Sequence, residues 1–287
     1  MKFGLILPNY GPAASRLTIL DTALAAEKLG FASVWVTDHL ALPEREAGPY
    51  GHIFEALMTL SYLAAATTRL RLGISTMVLP QRNPVEVGKQ IATLDALSGG
   101  RILFSAGIGW SRGEYRHLNQ NYDTRVQRME DALKVLRTLW RGGSVVSYQG
   151  SHFAFERMMF SPEPVQPGGP PLWVAGNSAA ALKRAVYFGD GWHPVRLTPD
   201  EIRQRLDGIR PLIARRPFTV CVRQVVKFSP SVLDDVYLSG SPEEILARLR
   251  AYAESGAEYL LLDFGGETKN DILRAMQTFA EKVLPAV

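Results

Sequence analysis

Asp38 and His39 are the pair in this chain whose types and position best suit chemistry. They are adjacent, and they end a short β-branched run, Ser33-Val34-Trp35-Val36-Thr37. In a parallel α/β protein, ligands meet the chain just beyond the carboxyl ends of strands, so an acid and an imidazole there stand where protons would be moved. The ordinary pKa of an imidazole lies nearest neutrality, which suits His39 to give or take a proton. Taken alone, the same two residues also read as a turn acid and a surface histidine, and the layout of the rest of the chain decides between the two.

Three other segments have ligand-binding chemistry. Val174-Ala175-Gly176-Asn177-Ser178 stands where a strand turns into a helix. Its small residues let a ligand approach the backbone, and the free amides and dipole of the helix start attract an anion, most naturally a phosphate. Asn177 or Ser178 reads equally well as a plain N-cap. Ala106-Gly107-Ile108-Gly109-Trp110 follows another strand; two glycines and an indole suit a loop that passes beside a flat ring system, and an ordinary turn also explains them. Gly73-Ile74-Ser75-Thr76-Met77 ends a third strand, with Arg82 and Asn83 just beyond it.

These segments share one frame: strand, then polar or glycine-rich loop, then amphipathic helix, about eight times over. That is the layout of a (β/α)8 barrel, the α/β fold known as a TIM barrel. The spacing predicts strands over 2–7, 33–37, 70–76, 102–106, 172–175, 191–195, 218–228 and 259–262. Helices are predicted over about 17–29, 55–67, 84–97, 125–140, 178–188 and 270–284, with two more opened by Thr198-Pro199-Asp200-Glu201 and Ser241-Pro242-Glu243-Glu244, caps followed by a first-turn proline. Residues 144–148 and 152–155 read as a hairpin, inside an insertion over about 141–170 between strands four and five. Leu94 to Arg101 falls at the opposite end of the barrel and reads as structural, with Gly99 or Gly100 ending its helix in the left-handed conformation. No linker divides the chain, so residues 1–287 are expected to form a single domain.

Composition narrows the classes of function. Nearly half of the 287 residues are apolar, enough for a large core. The formal charge of +4 comes from arginines spread along helices without interleaved aromatics, a solvated pattern that gives no support to nucleic-acid binding. Cys221 is the single cysteine; it falls within a strand and reads as core filler, with no partner for a disulfide inside the chain. No apolar run has membrane length, and Met1 to Pro8 lacks the order of a signal peptide, so a cytoplasmic protein with no membrane partner is expected. Trp35 precedes its strand's end and reads as barrel packing. His193 reads as a wall of the substrate pocket or as a hydrogen-bonded structural histidine, and His52, His117 and His152 as loop or hairpin residues.

Five stretches taken in order, Val34 to His39, Pro84 to Arg101, Gly107 to Trp110, Pro171 to Ser178 and Gly189 to Pro194, resemble the bacterial luciferase-like family over nearly the whole chain. More narrowly they resemble its branch that depends on the deazaflavin coenzyme F420. The resemblance implies a barrel with an insertion, a reduced flavin or deazaflavin lying across its mouth, and a homodimer. In that branch the histidine matching His39 lies near the redox carbon of the ring, with Asp38 before it as the second catalytic position. The segment matching Ser75-Thr76 is expected to hold a non-proline cis peptide whose bulge supports the ring. The glycine loop at Gly107, Gly109 and Trp110 is expected beside the ring, and the turn at Ala175, Gly176, Asn177 and Ser178 around the cofactor phosphate. Some deazaflavin members have an acid soon after the strand-four glycines; here Trp110 to Gly113 intervene before Glu114, which stands as a candidate proton donor.

The expected activity is hydride transfer between the deazaflavin and a small organic substrate, the cofactor carrying the redox chemistry. A monooxygenase using reduced FMN and dioxygen keeps the same motifs. A metal-dependent barrel hydrolase is the rival from another class, because Asp38, His39, His193 and Asp263 all fall near strand ends, although the first strand ends in Pro8-Asn9 and supplies no ligand. A noncatalytic cofactor carrier is the last.

Overall fold

Alternation along each strand sorts this chain into an inside and an outside. A computed structural model describes residues 1–229 and 237–286. In chain order it contains β1 (Lys2–Ile6), α1 (Arg16–Lys28), β2 (Ser33–Val36), α2 (Glu44–Ala47), α3 (Ala56–Ala66), β3 (Arg71–Val78), α4 (Pro84–Ser98) and β4 (Ile102–Gly107). Then come α5 (Arg112–His117), α6 (Arg125–Arg141), the strands β5 (Val145–Gln149) and β6 (Ala154–Met159), then β7 (Leu172–Ala175), α7 (Ala179–Phe188) and β8 (Gly191–His193). The last third holds α8 (Pro199–Asp207), α9 (Arg210–Ile213), β9 (Thr219–Phe228), β10 (Leu238–Gly240), α10 (Pro242–Ser255), β11 (Tyr259–Asp263) and α11 (Lys269–Lys282).

Among the described residues, eight parallel strands pair in the order β1, β2, β3, β4, β7, β8, β9, β11 and back to β1. This is the closed TIM barrel expected from the sequence. Val34, Leu72, Phe104 and Val174 turn outward into the larger core beneath the helices. Ile6, Trp35, Leu103, Trp173, Cys221 and Leu261 turn inward and form a second, smaller core inside the ring of strands. Trp35 is fully buried there, stacks on Trp173 with centroids 5.3 Å apart, and gives its indole N–H to Ser33 Oγ at 2.6 Å. Gly4 and Gly73 on the flanking strands make room for it.

Helix ends follow the local signals. Thr198 and Ser241 each close a capping box, with Glu201 and Glu244 respectively, and Gly99 ends α4 at φ +69°. The segment 94–101 is a structural clamp at the barrel's far end. Arg101 donates to Ala64 O, Leu70 O and Ser98 O, while buried Asp95 accepts the amides of Val165 and Gln166.

Four local features differ from expectation. The sixth barrel strand stops at His193, and Val195 makes only an isolated bridge to Arg223. The second hairpin strand runs over Ala154–Met159, because its partner register continues to Val145↔Met159. The six-residue α5, capped by Ser111, is too short to show a periodic apolar face. β10 extends pairing at the outer end of β9 with three residues, Leu-Ser-Gly, that carry no strand pattern. The hairpin itself lies between β4 and β7, where the insertion was expected. No helix among the described residues is long and apolar enough to cross a membrane.

A Cβ at Gly73 would come within 2.3–2.5 Å of the Trp35 ring. Gly73→Ala therefore forces the inner stack apart and is expected to cost about 1–3 kcal/mol. Chemical unfolding measures this as a lowered midpoint at unchanged slope.

Candidate active site

All the strand ends that carry the motifs open into one cavity of about 630 Å³. Such a volume lies within the usual range for cofactor and small-ligand sites. Asp38, His39, Ser75, Thr76, Gly107, Gly109, Trp110, Ala175, Gly176 and Asn177 all line it. Ser178, expected with them, is not part of the lining. It is exposed, and its hydroxyl accepts the Ala181 amide at 3.1 Å as the N-cap of α7.

His39 is held by a carboxylate. Its Nδ1 lies 3.0 Å from Glu114 Oε2, and Glu114 also accepts the Leu40 amide at 2.7 Å, the Ala41 amide at 3.2 Å and Gln81 Nε2 at 3.1 Å. Glu114 has no solvent exposure. Burial is the largest influence on it and pushes its pKa up, but His39, the Leu40 amide and Gln81 together outweigh this and bring it down to about 2. A carboxylate so held accepts hydrogen bonds and is a poor proton donor, which corrects the candidate role it had from sequence. Facing a carboxylate, Nδ1 is the ring nitrogen that carries the proton, and Nε2 has no hydrogen-bond partner among the described residues. The ring stands edge-on to Trp110 at 5.7 Å and tilts over Tyr50 at 4.9 Å.

Asp38 is placed differently. Its Oδ2 accepts the Val78 amide at 2.9 Å, and its Oδ1 accepts Arg82 Nη2 at 2.6 Å. Burial pushes this carboxyl up from its ordinary range, against the pull of Arg82 and the Val78 amide. Both oxygens are therefore spent on fixing the end of β3 to the end of β2.

What they fix is a bulge. The Ser75–Thr76 peptide is cis, and the β3–β4 register shifts between Ile74 and Met77. Four side chains from other strands secure it. His193 Nε2 meets Ser75 Oγ at 2.8 Å, Arg223 Nη1 donates to Ser75 O at 3.2 Å, Thr76 Oγ1 meets Ser105 Oγ at 3.1 Å, and Asp38 takes the Val78 amide. His193 also gives Nδ1–H to Cys221 O at 2.6 Å, so its second nitrogen accepts the Ser75 hydroxyl. Burial, the leading cause, lowers its pKa to about 4. It is a structural histidine with no exposure, outside the cavity wall.

A second charged group faces the cavity. Arg223 donates Nη2 to Asp263 Oδ2 at 2.7 Å and to Tyr10 Oη at 3.0 Å, and Nη1 to Thr37 Oγ1 at 3.2 Å. Burial works against its charge, and Asp263 more than restores it. Tyr10 is pushed up to about 12, by burial first and Asp263 second. Sequence reasoning missed Tyr10, Tyr50, Arg223, Arg196 and the carboxylate role of Glu114. A single arginine within the apolar run Val220-Cys221-Val222-Arg223, with Asp263 at the neighbouring strand end, was the available signal.

The glycines shape the walls. A Cβ at Gly107 would lie 2.8 Å from Thr76 Cγ2; Gly109 has φ +67°, and its Cβ would lie 2.5 Å from Val78 Cγ1. At the turn before α7, Gly176 has φ +127°, and its amide donates to His193 O. The Asn177 side chain is pinned to both backbone groups of Val195, at 2.8 and 2.9 Å. The first turn of α7 holds no acid, and the exposed Arg196 lines the same end of the cavity. The residues present thus fit a flat ring and an anionic tail: a cavity wall in which the bulge and the Gly107–Trp110 loop pack closely side by side, and the start of α7 with a cation beside it. Asp38, His193 and Asp263 are each committed to other partners, and no group of three acid, histidine or cysteine residues among those described could hold a metal ion.

A family model described as luciferase-like monooxygenase matches residues 1–235. The chain belongs to that family and is an oxidoreductase of the TIM-barrel fold. The F420-dependent glucose-6-phosphate dehydrogenase of Amycolatopsis mediterranei is 30% identical over 188 residues, covering 64% of this chain and 54% of that protein. A solved F420-dependent secondary alcohol dehydrogenase, in complex with an F420-acetone adduct, superposes with a TM-score of 0.84 at 18% identity, over 100% of this chain and 99% of that one. The oxygenating constituent of 3,6-diketocamphane monooxygenase from Pseudomonas putida, in complex with FMN, superposes with a TM-score of 0.79 at 14% identity, over 100% and 98%.

The His193 environment gives stability a pH dependence. Unfolded, the imidazole titrates near 6.5; folded, near 4. Between these values the unfolded chain holds the extra proton, so stability is full above pH 6.5 and falls as pH drops toward 4, by about 3 kcal/mol in all. Urea unfolding across that window is expected to show this fall in the wild type and a flatter profile in His193→Gln.

Proposed function

We propose that this protein exchanges a hydride between coenzyme F420 and a small organic substrate bound against His39. The observation that carries the reading is the Glu114–His39 pair in the wall of the cavity that Gly176 and Asn177 also line: Glu114 takes Nδ1 and leaves Nε2 without a hydrogen-bond partner among the described residues. The deazaflavin, when bound, supplies the hydride chemistry. The chain's own residues bind and orient it. The Ser75–Thr76 bulge would support the face of the ring, the Gly107–Trp110 loop would lie beside it, and the Asn177 amide at the start of α7 with Arg196 would hold the phosphate. Asp38 acts as a positioning residue through Arg82 and Val78.

His39 is the catalytic residue in this reading. Its Nε2 gives a proton to, or takes one from, the substrate oxygen as hydride moves at the adjacent carbon. Glu114 holds Nδ1–H and so keeps Nε2 as the working nitrogen; its negative charge also steadies the imidazolium that proton capture creates. Reduced FMN with dioxygen is the second reading, favoured by the same cavity and helix start, which fit any phosphorylated tricycle.

Fluorescence titration of the purified chain with each cofactor separates the two, saturable binding of F420 in preference to FMN supporting the first. His39→Ala is expected to abolish turnover while cofactor affinity stays within a few-fold. Gly176→Ala, whose Cβ would lie 2.8 Å from the Ala181 Cβ, is expected to weaken cofactor binding by about tenfold, near 1.4 kcal/mol. Undiminished turnover in His39→Ala removes the assignment.

A further inference from the structure

The barrel has a second mouth, at the end where its strands begin. Two adjoining hollows of about 430 and 330 Å³ open there, and Arg137, Arg141 and Asp190 belong to the walls of both. The larger is floored by the strand starts Lys2, Arg71, Thr219 and Tyr259, which places it opposite the cofactor cavity. Its cations are Lys2, Arg71, Arg137 and Arg141, and the smaller hollow adds Lys134 and Arg216. Among the described residues, Asp190 is the only acid in either wall. It is already engaged, accepting Arg137 Nη2 at 2.7 Å and the Leu172 amide at 2.9 Å.

Three of the guanidinium groups have only neutral acceptors among the described residues. Arg71 gives Nη2 to Ile102 O at 3.1 Å and to Gln166 Oε1 at 2.7 Å. Arg141 reaches Gly168 O with Nε at 3.4 Å. Arg216 caps the end of α7 through Gly189 O and Val186 O. Arg71 is partly buried, and burial is the main influence on its charge, working against it. Guanidinium groups with no carboxylate in hydrogen-bond contact keep their field for an incoming anion, and a concave wall of one sign focuses it. The planar forks of Arg71 and Arg141 match the oxygen geometry of phosphate.

We propose that this lower mouth binds a small molecule carrying two or more neighbouring phosphate groups, at a site separate from the cofactor cavity. Six cations against one already paired acid among the described lining residues favour a ligand with more than one anionic group, and the two joined hollows give such groups adjacent seats. The proposal does not depend on the cofactor reading.

Inorganic pyrophosphate is the probe, titrated calorimetrically into the full chain at low ionic strength. Because a phosphate could also settle at the start of α7, the titration is repeated with Arg196→Gln and with the double variant Lys134→Gln/Arg141→Gln. Both residues of the double variant are exposed, so the fold is expected to survive, and a thermal melt checks this. Saturable binding is expected in the wild type, unchanged in Arg196→Gln, and at least about tenfold weaker in the double variant, with affinity falling as salt rises. Absence of saturable binding in the wild type, undiminished binding in the double variant, or loss in Arg196→Gln alone overturns the proposal.

Discussion

A carboxylate sealed from water persists only where its charge is met, and Glu114 is met by an imidazole, two backbone amides and a carboxamide. That one group ties three parts of the chain together: α5, on which it stands; the loop after β2, whose amides it takes; and Gln81, just beyond β3. Removing it would free His39 to choose its own tautomer and rotamer. The chemistry read at the mouth of the barrel depends on that constraint.

Around it, polar contacts converge on the Ser75–Thr76 segment instead of being scattered over the rim. Asp38 from the end of β2, His193 from β8, Arg223 from β9 and Ser105 from β4 each hold one atom of the bulge or its flank. Charged and ionisable groups buried near an active site are often taken as reagents. Here most serve as struts: Asp38 is neutralised by Arg82, His193 is kept uncharged by burial, and Arg223 is balanced by Asp263. The exception is the His39 edge that carries Nε2.

Much of this frame was readable from the residues. Short apolar runs ending in Asp38-His39, Gly107 and Ala175-Gly176, each followed by a loop and an amphipathic helix, announced the barrel and the end at which ligands would be met, because local patterning fixes strands and the strand-to-helix turn fixes polarity. Caps such as Thr198 with Glu201 were equally plain, since both partners lie within one turn. Partnerships across distant sequence were not. Glu114 meets His39 across 75 positions and Arg223 meets Tyr10 across 213, and nothing in the spacing of either pair encodes the meeting. The sequence placed Asp38 beside the chemistry and Ser178 at the helix start, yet which lone pairs remain free is a property of the packed neighbours Arg82, Val78 and Ala181.

The central claim is that His39 and the turn before α7 address one bound molecule within a single cavity. Nuclear magnetic resonance of the labelled chain tests it directly, by following the His39 ring signals and the backbone amides of Gly176 and Asn177 while oxidised F420 or FMN is added. The account predicts that all three respond together, saturating at the same cofactor concentration. Movement of the amides with the imidazole unaffected, or of the imidazole alone, would contradict it.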